Sequence, residues 1–143
     1  MLLTRFFFLH SGMNLMRVKY KRSNEKRNAR WFVALFGTSP DVCLIIWNML
    51  LDNWTQYCNN PNPIHLLWSF RFMKAYNNWD SHAVEVGVDS KTFRKWVWFY
   101  IKGVSKLMQK MVSRHFSIIY SNHLLLTMLQ HLLHSRYALK IER

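Results

Sequence analysis

Four basic residues in the second half of the chain have the spacing to bind an anion. The stretch SKTFRKWVWFYIKG, residues 90–103, places Lys91, Arg94, Lys95 and Lys102 among bulky apolar residues. At 100° per residue, the three lysines lie opposite an apolar stripe and Arg94 lies at the edge of the basic side. The stripe consists of Phe93, Trp96, Val97, Tyr100, Ile101, Val104, Leu107 and Met111. The pattern predicts a helix that buries one side and presents the other to phosphate groups.

The residues before this helix fit the pattern of a helix-turn-helix. Ala83 is small enough for close helix crossing, and Gly87 follows four residues later, where a tight turn needs a glycine. We expect a short helix capped by Asp80 or Ser81, a turn at Gly87, and a second helix capped by Ser90. A helical bundle without this function contains alanine and glycine at similar spacings, so that interpretation stays open. The candidate DNA-binding residues are Ser90, Lys91, Arg94, Lys95, Lys102 and Arg71.

Other kinds of site are less well supported by the sequence. His131 and His134 form an i, i+3 pair with His123 two turns earlier, but no cysteine or carboxylate is near enough to complete a metal site. No nucleophile lies in a recognisable catalytic motif. Cys43 and Cys58 read as two free thiols in a reducing compartment. We therefore expect no catalytic residue, no metal and no cofactor.

Charge is distributed unevenly along the 143 residues. The chain carries 20 Lys and Arg against 7 Asp and Glu, a formal net charge of +13. Residues 1–30 and 81–143 are strongly basic, whereas residues 31–80 are nearly neutral and rich in tryptophan. Such a balance favours a polyanionic partner, either nucleic acid or an anionic membrane surface.

The N-terminal segment resembles a signal peptide only in part. An arginine precedes the apolar run FFFL, but His10, Ser11 and Gly12 interrupt that run. No segment reaches the roughly 18 apolar residues of a membrane span. We expect a soluble, intracellular protein without a membrane span.

Helical patterns place the basic residues in an all-α fold. Ser39, Pro40 and Asp41 are a strong helix start, because they supply a capping hydroxyl, a proline at the first position and an acid for the helix dipole. A buried stripe is expected behind them at Val42, Ile45, Ile46, Met49 and Leu50. After the loop NNPNP, residues 59–63, a second amphipathic helix should run from Ile64 to about Tyr76. No convincing strand pattern is present, so we predict a small helical bundle.

We expect three regions along the chain. Residues 1–30 are predicted to be a basic arm that need not be ordered, since residues 17–30 are too charged to bury a face. Residues 31–116 would form the helical domain. Residues 117–143 would add a Leu- and His-rich C-terminal helix of unknown role, through which the chain could self-associate.

Three short motifs carry a resemblance to a known family. FGTSPDVC, HLLWSFRFMKAY and GVDSKTFRKWVW occur in this order between about Arg30 and Leu107. Together they resemble the N-terminal region of Harbinger-type transposases and related DDE endonuclease-like proteins. In that family a helical region containing a helix-turn-helix precedes a nuclease domain, and the resemblance implies binding of double-stranded DNA in the nucleus.

The resemblance stops where the family's nuclease would begin. That nuclease holds divalent metal ions on acidic residues, whereas Glu142 is the only acid after Asp89 in this sequence. We therefore expect a truncated, catalytically inactive DNA-binding region, derived from a frame-shifted or mis-spliced mobile element. The alternatives are a helical protein-interaction module, a membrane-surface helix over residues 90–116 and a nonfunctional transposon relic.

Overall fold

The computed structural model describes residues 3–21, 24–54 and 61–114, and over these residues the chain is built from helices without a β-strand. In chain order they are α1 (Arg5–Leu15), α2 (Glu25–Phe36), α3 (Pro40–Trp54), α4 (Pro63–Ala75), α5 (Trp79–Val86) and α6 (Ser90–Arg114). The predicted all-α fold is confirmed.

The chain divides into two compact units, Met1–Val104 and Ser105–Arg143. The first unit contains α1 to α5 and α6 as far as Val104. In the second unit the structure describes only the last residues of α6, up to Arg114. The expected C-terminal helix over 117–143 lies outside the described residues. The boundary after Val104 falls inside the domain that the sequence predicts over 31–116.

Helix α1 belongs to the core, which corrects the expected basic arm over residues 1–30. Phe8 and Met13 on α1 are fully buried, and Leu9 is nearly so. Gly12 lets α1 approach α2 closely, because a Cβ at this position would lie 2.5 Å from Cε2 of Phe32. The prediction extended the charged character of residues 17–30 to the whole of residues 1–30. The apolar residues that pack α1 all precede this basic run.

Helix α2 is also ordered within the expected arm. Asn24 caps it by accepting a hydrogen bond from the N–H of Arg27 at 2.9 Å. The buried side chain of Asn28 ties the preceding segment to the helix, donating to the carbonyl of Lys21 at 2.7 Å. The helix ends at Gly37, whose φ of 73° is left-handed, a backbone conformation that favours glycine.

Helix α3 begins as predicted but turns a different face inward. The hydroxyl of Ser39 accepts a hydrogen bond from the N–H of Val42 at 3.3 Å. The buried residues are Cys43, Ile46, Trp47 and Leu50, whereas Ile45 of the predicted stripe is 56% exposed. The predicted stripe is therefore wrong in phase. The exposed residues Asp41, Asn48 and Asp52 share one face of the helix, and Ile45 lies beside that polar face, so the predicted stripe was placed too close to it.

Helix α4 is the centre of the first unit. It begins with Asn62 as cap and Pro63 at its first turn, and it ends at Tyr76, which has a left-handed φ of 50°. Its middle residues are nearly all buried: Leu66, Leu67, Trp68, Ser69 and Phe70. Helices α1, α2 and α3 all pack against it. The expected helix from 64 to about 76 is confirmed in its bounds, but it is not amphipathic, because five consecutive residues in its middle are buried on all sides.

Membrane-spanning potential in the described residues is confined to one bent pair. No single helix has both the length and the apolar character of a span, and α2 with α3, bent by 59° at their break, would qualify together on length and composition alone.

Candidate functional site

A sharp turn separates α5 from α6. Gly87 has a left-handed φ of 76°, and the N–H of Val88 donates to the carbonyl of Ala83 at 3.0 Å. The carboxylate of Asp89 then accepts from the N–H of Thr92 at 2.9 Å, which caps α6. Contacts with the side chain and N–H of Thr92 lower the pKa of Asp89, as expected for a carboxylate cap. The predicted bend at Gly87 is confirmed.

The caps of these two helices differ from the predicted ones. Asn78 caps α5, accepting from the N–H of Ser81 at 2.7 Å, instead of Asp80 or Ser81. Asp89 caps α6, which leaves Ser90 as its first residue, and the hydroxyl of Ser90 donates to the carboxylate of Asp80. Both corrections have one cause: several capping residues stand in a row here, and the sequence does not say which adopts the extended backbone of a cap.

The inner face of α6 fixes the helix on the rest of the first unit. Phe93, Val97 and Tyr100 are fully buried, which confirms this part of the predicted stripe. The hydroxyl of Tyr100 donates to the carbonyl of Asn62 at 2.7 Å and accepts from its N–H at 2.9 Å. The two hydrogen bonds attach α6 to the start of α4.

Ring contacts extend this attachment towards α5. The ring of Phe93 lies nearly parallel to that of His82 on α5, with centroids 5.7 Å apart, and 5.7 Å from Trp68 on α4. Further along, His65 of α4 stacks on Trp96 at 4.5 Å. The orientation of α6 is therefore set by aromatic packing on two neighbouring helices.

The outer face of α6 carries the predicted cations. Lys91, Arg94, Lys95 and Lys102 are all exposed, and we call them the α6 strip. With 3.6 residues per turn and a 1.5 Å rise, the three lysines lie within about 40° of one another and span about 16 Å along the axis. Within residues 3–21, 24–54 and 61–114, none of the four forms an ion pair with a carboxylate. Their charge is therefore not neutralised by these parts of the chain.

Aromatic side chains are interspersed with the α6 strip. An open depression is lined by the four cations together with Trp96, Trp98 and Phe99, which are partly exposed. The guanidinium of Arg94 lies 5.4 Å from the ring centroid of Trp79, and Nζ of Lys95 lies at the same distance from that of Trp96. Cations and flat rings thus form one continuous surface, a composition typical of nucleic-acid sites.

Arg71 is not part of this surface, which corrects its place among the predicted contacts. Its guanidinium donates to both carboxylate oxygens of Glu85, at 2.9 and 3.1 Å, and to the carbonyl of Leu35 at 3.3 Å. The Arg71 side chain is only 17% exposed. Arg71 therefore has a structural role, joining α4 to α5 and to the end of α2.

A buried histidine completes the contact between α4, α5 and α6. Burial lowers the pKa of His82, so that the ring is neutral at pH 7. Its Nδ1 lies 3.4 Å from Oε2 of Glu85. Because the ring is neutral, this contact is not an ion pair. Burial opposes ionisation of Glu85, but the hydrogen bonds and charge of Arg71 hold the pKa of Glu85 below its ordinary value. The charged partner of Glu85 is thus Arg71.

Sequence reasoning missed two residues, one beside the strip and one that binds Arg71. Trp79 of α5 was not singled out, yet its ring stacks on Phe72 of α4 at 4.1 Å, and the guanidinium of Arg94 lies 5.4 Å from its centroid. Glu85 was not singled out, although it binds Arg71. Among the described residues, no three His, Cys, Asp or Glu side chains are grouped closely enough to hold a metal ion.

Comparisons of the chain with protein-family models, with curated proteins and with solved structures find no match. Functional arguments therefore rest on the geometry of the chain itself.

Proposed function

We propose that this protein binds double-stranded DNA through the α6 strip, with α5, the turn at Gly87 and α6 acting as a helix-turn-helix. The observation that supports this best is the outward strip of cations, Lys91, Arg94, Lys95 and Lys102, on a helix whose opposite face is buried. Such a helix can approach a groove without losing its own packing.

Electrostatic attraction would supply most of the affinity. Each lysine or arginine that neutralises a phosphate contributes about 0.9 to the dependence of log K on log salt. Four such contacts predict a slope of about −3 to −4. The ends of the strip differ in role: Arg94 and Lys95 lie near the start of α6, where a recognition helix reaches base edges, and Lys102 lies where it reaches phosphates.

Ser90 has a smaller place in this proposal than the sequence suggests. Its hydroxyl is engaged with Asp80, and reading a base would require that hydrogen bond to be exchanged. We therefore assign register and any sequence preference to Arg94 and Lys95.

The resemblance to Harbinger-type transposases agrees with such a role. The protein would then correspond to the DNA-contacting part of that family and act in the nucleus, without catalysis of its own.

Charge reversal tests the proposal. The variant Arg94→Glu/Lys95→Glu should bind a labelled duplex at least tenfold more weakly than the wild type at low salt, measured by fluorescence anisotropy. The matched control is Lys26→Glu/Arg30→Glu on α2, which changes the net charge by the same amount at two exposed positions. Circular dichroism establishes that both variants keep their helical content.

The loss of DNA affinity must depend on where the reversed charges lie and not on the net charge of the protein. The proposal requires the α6 variant to lose affinity and the α2 variant to keep most of it. Equal losses in the two variants, or an unchanged affinity after reversal at Arg94 and Lys95, would remove the site assignment. Lys95→Glu/Lys102→Glu is a second test that leaves the contact between Arg94 and Trp79 intact.

A further inference from the structure

Trp98 is a large apolar residue among the cations of the α6 strip, on the outer side of the helix. At 1.5 Å per residue it lies about 4.5 Å beyond Lys95 along the axis and about 6 Å before Lys102. Around the axis it lies within about 60° of both lysines, and it is partly exposed. A flat ring therefore stands between two cations on the outer side of the helix.

The two other rings in the depression have closer ring contacts than Trp98. Trp96 stacks on His65 of α4 at 4.5 Å, with an interplanar angle of 25°. Phe99 meets Trp96 and Tyr100 edge-on, at 5.8 and 5.6 Å. The contact of Trp98 with Trp79 is looser, with centroids 6.1 Å apart and a tilt of 42°. Packing on another helix therefore explains Trp96 better than it explains Trp98, whereas these contacts of Phe99 lie within α6 itself.

Trp98 nevertheless belongs to a row of ring contacts that continues through α5 to α4. Trp79, its neighbour on α5, stacks on Phe72 of α4 at 4.1 Å and is also approached by Arg94. The resulting row of rings runs from the outer face of α6 to α4. A base that stacked on Trp98 would extend this row of rings by one member.

We propose that Trp98 is a stacking residue for an unpaired base, so that the α6 strip prefers DNA in which a single-stranded segment adjoins a duplex. Lys95 and Lys102 would hold the phosphates on either side of that base. The inference rests on the proposed function, since it concerns the same surface and the same polymer.

The occupant follows from the chemistry of the surface. Bases in an intact duplex are stacked on each other and offer only their edges, so the face of an indole has no partner there. An unpaired strand exposes base faces between phosphates, and aromatic side chains between cations are the usual means of binding it. The four cations also make the surface complementary to this polyanion, and unsuited to a basic or neutral partner.

Binding to three labelled probes tests this inference. The probes are a blunt duplex, the same duplex with a single-stranded overhang, and the overhang strand alone, all measured by fluorescence anisotropy at one salt concentration. We expect the wild type to bind the overhang duplex about tenfold more tightly than the blunt one, as one stacked base provides. Trp98→Ala should abolish this preference and change the affinity for the blunt duplex less than about twofold.

Two further variants separate stacking from folding. Trp98→Phe keeps a flat ring and should retain part of the preference, which a merely structural role for Trp98 would not require. Trp31→Ala removes a tryptophan that is 49% exposed on α2 and should leave all three affinities unchanged. Thermal unfolding of each variant shows whether the fold is kept.

The outcomes distinguish this inference from the proposed function. A wild type without preference for the overhang, or a Trp98→Ala variant that keeps it, overturns the inference while duplex binding through the strip stands. Binding that survives charge reversal at Arg94 and Lys95 on every probe overturns the proposed function itself. A preference for the overhang strand alone, lost in Trp98→Ala, would support the stacking role and contradict the requirement for an adjoining duplex.

Discussion

At the scale of single residues, the structure separates cations that stabilise the fold from cations that are left for a ligand. Arg71 and Arg94 both have aromatic or acidic neighbours, but Arg71 forms a two-point pair with Glu85, whereas Arg94 is exposed above Trp79. A basic residue therefore cannot be assigned to DNA binding by its charge alone. The contacts of its side chain show whether it is available to a ligand.

Removal of Arg71 should reduce stability and leave DNA binding by the folded protein unchanged. Arg71→Met leaves the Glu85 carboxylate without its partner in a mostly buried site, so we expect a loss of about 2 kcal/mol in the free energy of unfolding. Urea unfolding followed by circular dichroism measures this. Lys74→Met is the control, since it removes a charge from an exposed position of the same helix.

A double variant tests the cause of that loss. Arg71→Met/Glu85→Gln removes both charges, and it should recover part of the stability because no unpaired charge remains. If Arg71→Met instead weakens duplex binding of the folded protein more than Lys74→Met does, the structural role assigned to Arg71 is wrong.

Two histidines should make the protein less stable in mild acid. Burial lowers the pKa of His65 to about 4 from its ordinary 6.5, and burial also lowers the pKa of His82. As the pH falls below about 6.5, the unfolded chain takes up protons that the folded chain does not, so stability falls towards about pH 4. Of this loss in the free energy of unfolding, His65 should account for about 1–2 kcal/mol, a figure reduced because its ring is partly exposed.

Substitution of His65 isolates its share of this pH dependence. His65→Gln should flatten the fall in unfolding free energy between about pH 7 and about pH 5, measured in urea at several pH values. A wild-type protein whose stability rises on acidification over this range would contradict the neutral, buried ring between Trp68 and Trp96.

At the scale of elements, the turn between α5 and α6 determines how the α6 strip is presented. The backbone of Gly87 is left-handed, and no atom lies within 4 Å of a Cβ built there. The requirement for glycine at this position is therefore one of backbone conformation, without any steric contribution from packing.

Alanine at this turn should destabilise the protein through the backbone alone. We expect Gly87→Ala to cost about 1–2 kcal/mol and Gly87→Asn to cost less, since asparagine tolerates a left-handed backbone better. Thermal unfolding of the two variants measures the difference. An alanine variant as stable as the wild type would show that residue 87 does not have the left-handed backbone of this turn.

The start of α3 and the ends of α2 and α5 were predictable because their signals are local. Ser39 with Pro40, and the glycines at 37 and 87, each specify a backbone conformation that few other residues adopt, and the structure places helix ends at all of them. The phase of α3 was predicted wrongly although a local signal exists, because Asp41, Asn48 and Asp52 mark the exposed face opposite Cys43, Trp47 and Leu50.

At the scale of the whole molecule, the candidate site was predictable only in part. The alternation of cations and apolar residues predicted the outer face of α6, because both sets lie on one helix. The partner of Arg71 lies 14 residues away, and Trp79 is brought to Arg94 by the turn, so neither contact follows from helical periodicity. The acidic neighbours that remove a cation from a surface appear only once the helices are assembled.

Charge is also arranged unequally over the first unit. Arg5 of α1 pairs with Glu25 at 2.5 Å and lies 3.9 Å from Asp41, so one of the N-terminal cations is locally compensated. The described ion pairs thus lie on α1 to α5, whereas the four cations of the α6 strip are outside them. The net charge of +13 is therefore less informative than the location of the uncompensated part.

The double hydrogen bond from Tyr100 to Asn62 limits how far this protein can be shortened. A synthetic fragment containing only α5 and α6 would lack the peptide group that this phenol binds and would expose Phe93 and Val97 to water. Minimal versions intended as laboratory reagents must therefore retain α4 with its preceding asparagine.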